Sequence, residues 1–169
     1  MPKIEDKIIV AAPLDQVWTL MRDTARRPEW DLSVRSVRRV ESGDPADTRF
    51  YYVAPLILGL TWRWEGRYAV FHDHRRAAVQ LIGGSALRPF RKLAGTWLLN
   101  AADSGALLTM NVNFEPRVSW LAPLMAWRVR RVLRQSLLRF KALAEAEQER
   151  TSPLDDQMRP AAAAPGQSP

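Results

Sequence analysis

Histidine is the first residue type to consider for chemistry, and the chain has only two, His72 and His74, on either side of Asp73. Two histidines at positions i and i+2 of a strand share a face and could bind a metal ion. However, the segment continues into Arg75 and Arg76 at a predicted turn, which is typical of a solvated hairpin end. We therefore predict no metal site here.

Nucleophiles and phosphate-binding loops are not indicated either. The chain has no cysteine, which excludes thiolate catalysis and cysteine-ligated zinc. No serine lies in a nucleophile elbow, and Gly83-Gly84 is a turn signal rather than part of a phosphate-binding loop. Asp23 precedes Arg26 and Arg27, which favours a role in capping or charge pairing. We predict no cofactor, and the aromatic residues become the most informative ones.

The elements that position these aromatic residues are mostly strands. A first strand is predicted over 3–10. From Val34 onward the pattern has period two with turn punctuation, as in strands with one buried face. Short connections between successive strands favour antiparallel pairing. The six predicted segments are 34–42, 48–57, 60–72, 76–83, 90–101 and 106–115.

Helical patterns flank these strands. Pro13, at the first helical position, begins a short amphipathic helix over 13–22, and a second short helical segment is predicted over 24–30. A broad apolar face recurs from Leu121 to Arg150, which predicts a long C-terminal helix. The fold class is therefore α+β: a curved antiparallel sheet wrapped around this helix.

Alternation along the strands selects the side chains that face the interior. Trp62, Trp64 and Tyr68 alternate with charged neighbours, and Gly95 leaves space beside the inward residues of its strand. No predicted inward strand residue is charged, which fits either a packed core or a ligand cavity. The candidate ligand-binding residues are Phe50, Tyr52, Trp62, Trp64, Tyr68, Trp97, Leu99, Leu108, Met110, Val112 and Phe114, with Leu121 and Met125 from the helix.

A family resemblance bears on this choice. The sequence resembles the START-like superfamily, also called SRPBCC proteins, and most closely its polyketide cyclase/dehydrase and lipid-transport branch. The similarity covers about residues 4–149. It is carried by Ile8-Ile9-Val10-Ala11-Ala12-Pro13-x-x-x-Val17-Trp18-x-Leu20-x-x-Asp23, by Pro28-x-Trp30, by Leu87-Arg88-Pro89-Phe90, by Gly95-Thr96-Trp97, and by Gly105–Pro116 before the long helix.

The resemblance implies a helix-grip fold, also called START-like or Bet v 1-like, with a deep apolar cavity between sheet and C-terminal helix. Family members include lipid and quinone carriers, plant hormone receptors, aromatase/cyclases and co-chaperone-like modules. We therefore expect a hydrophobic small-molecule ligand, such as a lipid, a polyketide-like compound or another aromatic compound. Trp62, Trp64 and Trp97 would supply stacking area, and Tyr52 and Tyr68 orienting hydroxyl groups.

The alternative is an enzyme, a polyketide cyclase, aromatase or dehydratase. Aromatase/cyclases look similar around Trp62-x-Trp64 and Trp97, but they carry Ser and Arg where this chain has Gly66 and Tyr68. A tyrosine of those enzymes aligns near Val34. These departures disfavour ring-closing chemistry, because Tyr68 without an inward base is a poor acid–base pair. An inward Arg35 or Arg128 would favour the enzyme again.

Charge suggests a third option. The formal net charge is +7, and no acidic residue occurs between Glu115 and Glu145. The basic residues of this stretch could attract an anionic membrane or an acidic partner, or form a solvated face. No nucleic-acid-binding module is found, which disfavours a nucleic acid partner. The basic residues are Arg117, Arg128, Arg130, Arg131, Arg134, Arg139 and Lys141, and Trp120 and Trp127 flank a short apolar run as candidate membrane anchors or cavity-mouth residues.

The ends of the chain complete the predicted organisation. The 169 residues suit one ligand-binding domain over 1–150, followed by a disordered Pro/Ala-rich tail over 151–169. No export signal is found at the N-terminus, which predicts a cytoplasmic protein. The 21 arginines against 4 lysines are typical of a GC-rich bacterial genome.

Overall fold

A computed structural model describes residues 2–40, 48–56, 59–72, 75–86 and 88–151. The predicted order of elements is confirmed: a strand, two short helices, six strands and a long helix. The elements are β1 (Lys3–Val10), α1 (Leu14–Arg22), α2 (Arg27–Trp30), β2 (Ser36–Val40), β3 (Arg49–Pro55), β4 (Thr61–Phe71), β5 (Arg76–Gly84), β6 (Phe90–Ala102), β7 (Gly105–Pro116), a 3-10 turn (Ser119–Leu121) and α3 (Ala122–Thr151).

The seven strands found within these ranges form one antiparallel sheet in the order β1-β7-β6-β5-β4-β3-β2. Neighbours from β2 to β7 follow one another along the chain, as the short connections predict. The first strand instead pairs with the last, with Lys3 opposite Asn113 and Val10 opposite Ala106. Register shifts between Glu65 and Gly66 in β4, and near Phe90 in β6, mark local irregularities.

The long helix α3 packs its apolar face on the interior and contacts the edge strand β1 with part of its basic face. Leu137, Phe140 and Ala144 are fully buried in the same core as the inward strand residues. Lys141 donates a hydrogen bond of 2.8 Å to the carbonyl of Ile9. Such contacts occupy backbone groups of an edge strand that would otherwise be free to pair with another chain. The fold is thus a helix-grip fold.

The two short helices begin one and three residues later than predicted. Pro13 is the N-cap of α1 rather than its first helical residue. The predicted segment over 24–30 is a turn followed by α2, because Pro28 lacks an N–H group and fits only the first turn of a helix. Asp23 has the predicted capping role, since its Oδ1 accepts hydrogen bonds from the backbone of Ala25 and Arg26.

The last described element, α3, ends at Thr151, one residue after the predicted end of the domain at 150. Residues 152–169 of the predicted tail lie outside the described residues, as do Asp73 and His74 of the histidine cluster. No helix within the described ranges is long and apolar enough to cross a membrane.

Candidate ligand-binding site

The predicted inward residues of the strands converge on one interior face. Tyr52, Trp64 and Trp97 are buried, and their outward neighbours are charged, polar or partly exposed. The period-two pattern of the sequence therefore predicts correctly which way these side chains face. The predicted site residues that are buried are Phe50, Tyr52, Trp62, Trp64, Tyr68, Trp97, Leu99, Leu108, Met110 and Phe114.

Three predicted site residues are only partly buried. Val112 lies on β7, and Met125 lies in the first turns of α3; both pack against the core. Leu121, in the 3-10 turn before α3, is also half-buried. Leu121 and Met125 lie where the last strand passes into the helix, whereas Val112 lies within the sheet opposite Gly95.

The centre of the interior is a stack of three aromatic rings. Tyr52 and Trp64 stand opposite each other on neighbouring strands, and their ring centroids are 4.2 Å apart with nearly parallel planes. Trp62 stacks on Trp64 at 5.6 Å. Phe50 meets Tyr68 edge-on at 5.6 Å. Offset and edge-to-face rings at these distances attract one another beyond simple burial.

Phe90 is an interior ring that alternation misses. Its centroid lies 5.8 Å from that of Trp62 and 5.4 Å from that of Phe114. Trp97 faces inward at an odd position of the same strand, whereas Phe90 is even. The register shift between Phe90 and Lys92 changes this parity, because an extra residue in a strand reverses the facing of the residues beyond it.

Two glycines face the rings. A Cβ atom at Gly66 would lie 2.7 Å from Trp64 and 3.0 Å from Tyr52, so the stack occupies the space that a side chain would need. At Gly95, by contrast, a Cβ atom would make an ordinary van der Waals contact, 3.4 Å from the indole of Trp97, so the predicted space there is about the size of a methyl group. Val79 lies between the two groups, within 3.4 Å of both Cβ positions. In this conformation the rings pack as a closed core.

A buried ion pair lies at α2, outside the strands, where alternation makes no prediction. Arg27 and Asp31 are 3% and 4% exposed, and Nε of Arg27 donates to Oδ2 of Asp31 at 3.0 Å. The guanidinium carbon of Arg27 lies 4.0 Å from the ring centroid of Trp97. Arginine rarely lies this deep without a partner. The available signal was Arg27 and Asp31 four residues apart around Pro28 and Trp30.

The carboxylate of Asp31 has partners at both oxygens. Ser33 donates to Oδ1 through its hydroxyl and through its backbone N–H, while Arg27 donates to Oδ2. The next residue along the chain is tied to α3, because the N–H of Leu32 donates to Oγ of Ser136 at 3.0 Å. Arg35 and Arg128, which would have favoured an enzyme by turning inward, are both exposed.

The charge of Arg27 acts on both inward tyrosines. Burial raises the pKa of Tyr52 to about 12, and the nearby positive charge of Arg27 opposes part of this rise. Burial also raises the pKa of Tyr68, again opposed by Arg27. Both phenols therefore stay protonated at neutral pH and can donate hydrogen bonds.

Several polar atoms of this interior have no hydrogen-bond partner among the described residues. They are the hydroxyl of Tyr52 and the indole nitrogens of Trp30, Trp64 and Trp97, all deeply buried. A buried polar atom without a partner costs about 1–3 kcal/mol, and native proteins contain few of them. All four of these groups can donate a hydrogen bond.

Comparison with known proteins assigns the family. The model of the polyketide cyclase/dehydrase and lipid transport family matches residues 1–145. The chain belongs to this family. The fold and the family expected from the sequence are thereby confirmed, and the family's ligand-binding fold agrees with the interior described above.

Solved structures with the same fold include several kinds of protein. The Zhui aromatase/cyclase from Streptomyces sp. R1128 has a TM-score of 0.74 at 19% identity, covering 86% of this chain and 94% of that one. A START superfamily protein from Mycobacterium smegmatis has a TM-score of 0.63 at 15% identity, covering 89% and 99%. The di-domain ARO/CYC StfQ of the steffimycin pathway has a TM-score of 0.67 at 18% identity, with 88% and 50% covered. At these identities the likeness shows the fold alone.

One curated relative matches over a short segment. Acyl-coenzyme A thioesterase 11 of Mus musculus is 36% identical over 55 residues, which is 32% of this chain. The match spans only 9% of that relative's length.

Outside the interior, this family member exposes an apolar patch where β7 passes into α3. We call it the junction patch: Val118, Trp120, Leu124 and Trp127. Trp120 is 79% exposed and Trp127 58%. The guanidinium of Arg131 lies 5.8 Å from the ring of Trp127, and Arg128 donates to the carbonyl of Leu56 at 3.3 Å.

The histidine cluster and the surface depressions are the other places where a ligand or metal could bind. His72 meets Trp18 edge-on at 6.1 Å. Among the described residues, no three His, Cys, Asp or Glu side chains are grouped to hold a metal. A depression of about 400 Å³ lies between α1 and the end of α3, lined by polar residues such as Asp15, Asp23 and Glu147. It does not involve the predicted ligand-binding residues.

Proposed function

We propose that this protein binds a hydrophobic small molecule, as a carrier or binding protein, between the sheet and α3. The observation that carries the proposal is the stack of Tyr52, Trp64 and Trp62 in an interior with several unpartnered polar groups. Aromatic walls with a few polar groups are typical of small-molecule sites. Ligands of the family's carriers and cyclases are hydrophobic, which agrees with such walls.

Binding in this interior requires the rings to move. The indole of Trp64 and the ring of Tyr52 already occupy the volume beside Gly66. A ligand would therefore separate the stack or replace one of its rings, exchanging ring–ring contacts for ring–ligand contacts. A planar or flexible apolar ligand suits this exchange, because its contacts with the rings replace the dispersion energy of the ring–ring contacts that are lost.

Native mass spectrometry of freshly purified protein tests the proposal, followed by denaturation and analysis of any released molecule. A discrete extra mass that disappears on denaturation is the expected result, and it identifies the ligand class. Replacing Trp64 by Ala should then lower the bound fraction while the domain stays folded. Trp18→Ala is the matched control, because Trp18 is a buried indole packed on His72 and Arg22.

The proposal fails if the protein carries no ligand and binds none from a panel of lipids and polycyclic aromatic compounds. It also fails if Trp64→Ala and Trp18→Ala reduce binding equally, because the loss would then reflect general packing. Unfolding caused by Trp64→Ala alone would indicate that the ring stack is a structural core.

The enzyme alternative is less well supported by the interior. A cyclase or dehydratase needs a group that accepts a proton, and Asp31, the buried carboxylate among the described residues, already accepts hydrogen bonds from Arg27 and Ser33. We therefore propose binding rather than turnover. Incubating the released ligand with the protein and analysing it for new products separates the two functions.

A second candidate function is contact with an anionic membrane through the junction patch. Trp120, Leu124 and Trp127 are all more than half exposed, and the exposed Arg130 and Arg131 lie beside them on α3. Indole rings favour the membrane interface, and arginines near it attract anionic lipid headgroups. A carrier of apolar molecules would benefit from such a contact when it collects or delivers its ligand.

Co-sedimentation with vesicles tests this candidate, using phosphatidylglycerol against phosphatidylcholine at low and high salt. We expect binding to the anionic vesicles that weakens with salt and falls about tenfold in Trp120→Ala/Trp127→Ala. Phe71→Ala is the matched control, because Phe71 is also an exposed ring with an arginine, Arg76, 5.8 Å from its centroid. Unchanged binding in the double variant would exclude the patch as an anchor.

A further inference from the structure

We infer that the interior site recognises an acidic oxygen of its ligand, such as a carboxylate or an enolate, through Arg27 together with Tyr52. The inference rests on the proposed function and names the chemical class of its ligand. Two observations support it. The buried polar groups without a partner among the described residues are hydrogen-bond donors, and the guanidinium of Arg27 lies over the ring of Trp97, one of these groups.

The unpartnered groups of the aromatic interior are all able to donate hydrogen bonds. The indole nitrogens of Trp64 and Trp97 can only donate, and the phenol of Tyr52 carries a proton at neutral pH. A ligand that satisfies them must present hydrogen-bond acceptors. An oxygen with negative charge is the strongest acceptor available, because charge-assisted hydrogen bonds are about twice as strong as neutral ones.

Arg27 adds a positive charge with free donors to this set. A guanidinium carries five N–H groups, and only Nε of Arg27 is used by Asp31. Neither terminal nitrogen of Arg27 donates to another described residue. Asp31, by contrast, is fully engaged by Arg27 and Ser33. Both carboxylate oxygens of Asp31 therefore have donors, whereas the terminal nitrogens of Arg27 are still able to donate to a ligand.

The position of Arg27 brings its charge to the aromatic groups. Its guanidinium lies over the ring of Trp97 at 4.0 Å, and its charge acts on the hydroxyls of Tyr52 and Tyr68. The Trp97 side of the interior adjoins the stack of Tyr52 and Trp64, because Val79 lies 2.9 Å from the Cβ position at Gly66 and 3.4 Å from that at Gly95. An amphipathic ligand could place its apolar body among the rings and its acidic oxygen at Arg27.

A neutral hydrocarbon or a cationic ligand fits this arrangement less well. A hydrocarbon would leave the buried donors unpaired, so the cost of their burial would persist in the complex. A cation would meet the positive charge of Arg27, and Asp31, the buried carboxylate among the described residues, already accepts hydrogen bonds from Arg27 and Ser33. Bidentate recognition of an oxyanion is, in contrast, the interaction for which a guanidinium is best shaped.

Matched acid and ester probes test the inference, because they differ only in the acidic oxygen. The probes are naphthalene-2-carboxylate and dodecanoate with their methyl esters, and dissociation constants are measured by calorimetry at pH 7. We expect at least one acid to bind about tenfold more tightly than its ester. Arg27→Gln should remove this preference and Arg27→Lys should retain part of it. Arg128→Gln, at an exposed arginine of α3, is the control and should change nothing.

The outcomes separate this inference from the proposed function. Equal binding of acids and esters by the wild-type protein would overturn the inference and leave the apolar site in place. Binding of neither class would overturn the proposed function and the inference with it. A preference that survives in Arg27→Gln would exclude Arg27 as its source. If Arg27→Gln fails to fold, the wild-type comparison still decides, and Tyr52→Phe should reduce the preference in a folded protein.

Discussion

At the scale of single residues, two ion pairs with the same N···O distance show how burial changes the contribution of an ion pair to stability. Arg27 and Asp31 lie 3.0 Å apart with both side chains about 5% exposed. Arg75 and Asp15 also lie 3.0 Å apart, but their side chains are 41% and 85% exposed. Water screens the second pair, whereas the first depends on its partners for all compensation of its lost hydration.

Replacing Asp31 by Asn should therefore destabilise the protein by about 3–5 kcal/mol, because it leaves the charge of Arg27 buried without a counter-charge. Replacing Asp15 by Asn should cost less than about 1 kcal/mol. Urea denaturation of both variants measures the difference. Equal losses would mean that the interior around Arg27 is far more hydrated than its burial indicates.

The raised pKa of Tyr52 predicts that the free energy of unfolding decreases at high pH. Burial raises its pKa from 10 to about 12, so the folded state holds this proton more tightly than the unfolded chain does. The resulting stabilisation is fully present below pH 10 and is lost as the pH rises towards 12, by roughly 2–3 kcal/mol. Tyr52→Phe should lack this loss. Its stability at pH 7 should equal or exceed that of the wild type, because the substitution removes a buried hydroxyl that has no hydrogen-bond partner among the described residues.

Unfolding free energies of the two proteins between pH 9 and pH 12 test this expectation. Tyr68, whose pKa burial also raises, is present in both and cancels in the comparison. If the unfolding free energies of the wild type and Tyr52→Phe fall in parallel as the pH rises, the Tyr52 hydroxyl reaches solvent in the folded protein.

At the scale of elements, β4 determines the shape of the interior through one inward glycine. A Cβ atom at Gly66 would lie within 3.0 Å of Trp64, Val79 and Tyr52. Gly66→Ala should therefore cost about 1–3 kcal/mol through overpacking and disturb the ring stack. Gly83→Ala is the control in the neighbouring strand, since the nearest atom there would be 3.7 Å away.

Thermal or urea unfolding of the two glycine variants, with near-UV circular dichroism as a report on the rings, checks this prediction. If Gly66→Ala is as stable as Gly83→Ala and keeps the wild-type spectrum, the stack has room to shift. A ligand could then enter without breaking it.

The strands were also the elements that could be predicted most fully from the sequence. Alternation of charged and aromatic residues around Trp62 and Trp64 has one consistent solution, because a slip by one residue would bury the charges. Alternation does not predict the inward ring of Phe90, because a register shift between Phe90 and Lys92 reverses the parity. It could not find Arg27, because the burial of a charge depends on a partner and on a covering ring that only the folded chain brings together.

At the scale of the whole molecule, α2 and the backbone after it are held against α3 by two contacts, which we call the α2–α3 joint. The ring of Trp30 meets Phe140 edge-on at 5.0 Å, and the backbone after α2 is held by Ser136 of α3. The same short segment presents Arg27 to Trp97 on β6. The joint therefore couples the packing of α3 to the position of the charge that we assign to ligand recognition.

Phe140→Ala should accordingly affect both stability and ligand selection. Phe140 is fully buried, so its truncation should cost about 3–5 kcal/mol through lost burial and the cavity left behind. Leu138→Ala, two residues earlier on the exposed side of α3, should cost less than about 0.5 kcal/mol. In folded Phe140→Ala protein, the preference for acid over ester probes should shrink, because Trp30 and the adjoining Arg27 lose their support. A preference of wild-type size would show that α2 holds Arg27 without help from α3.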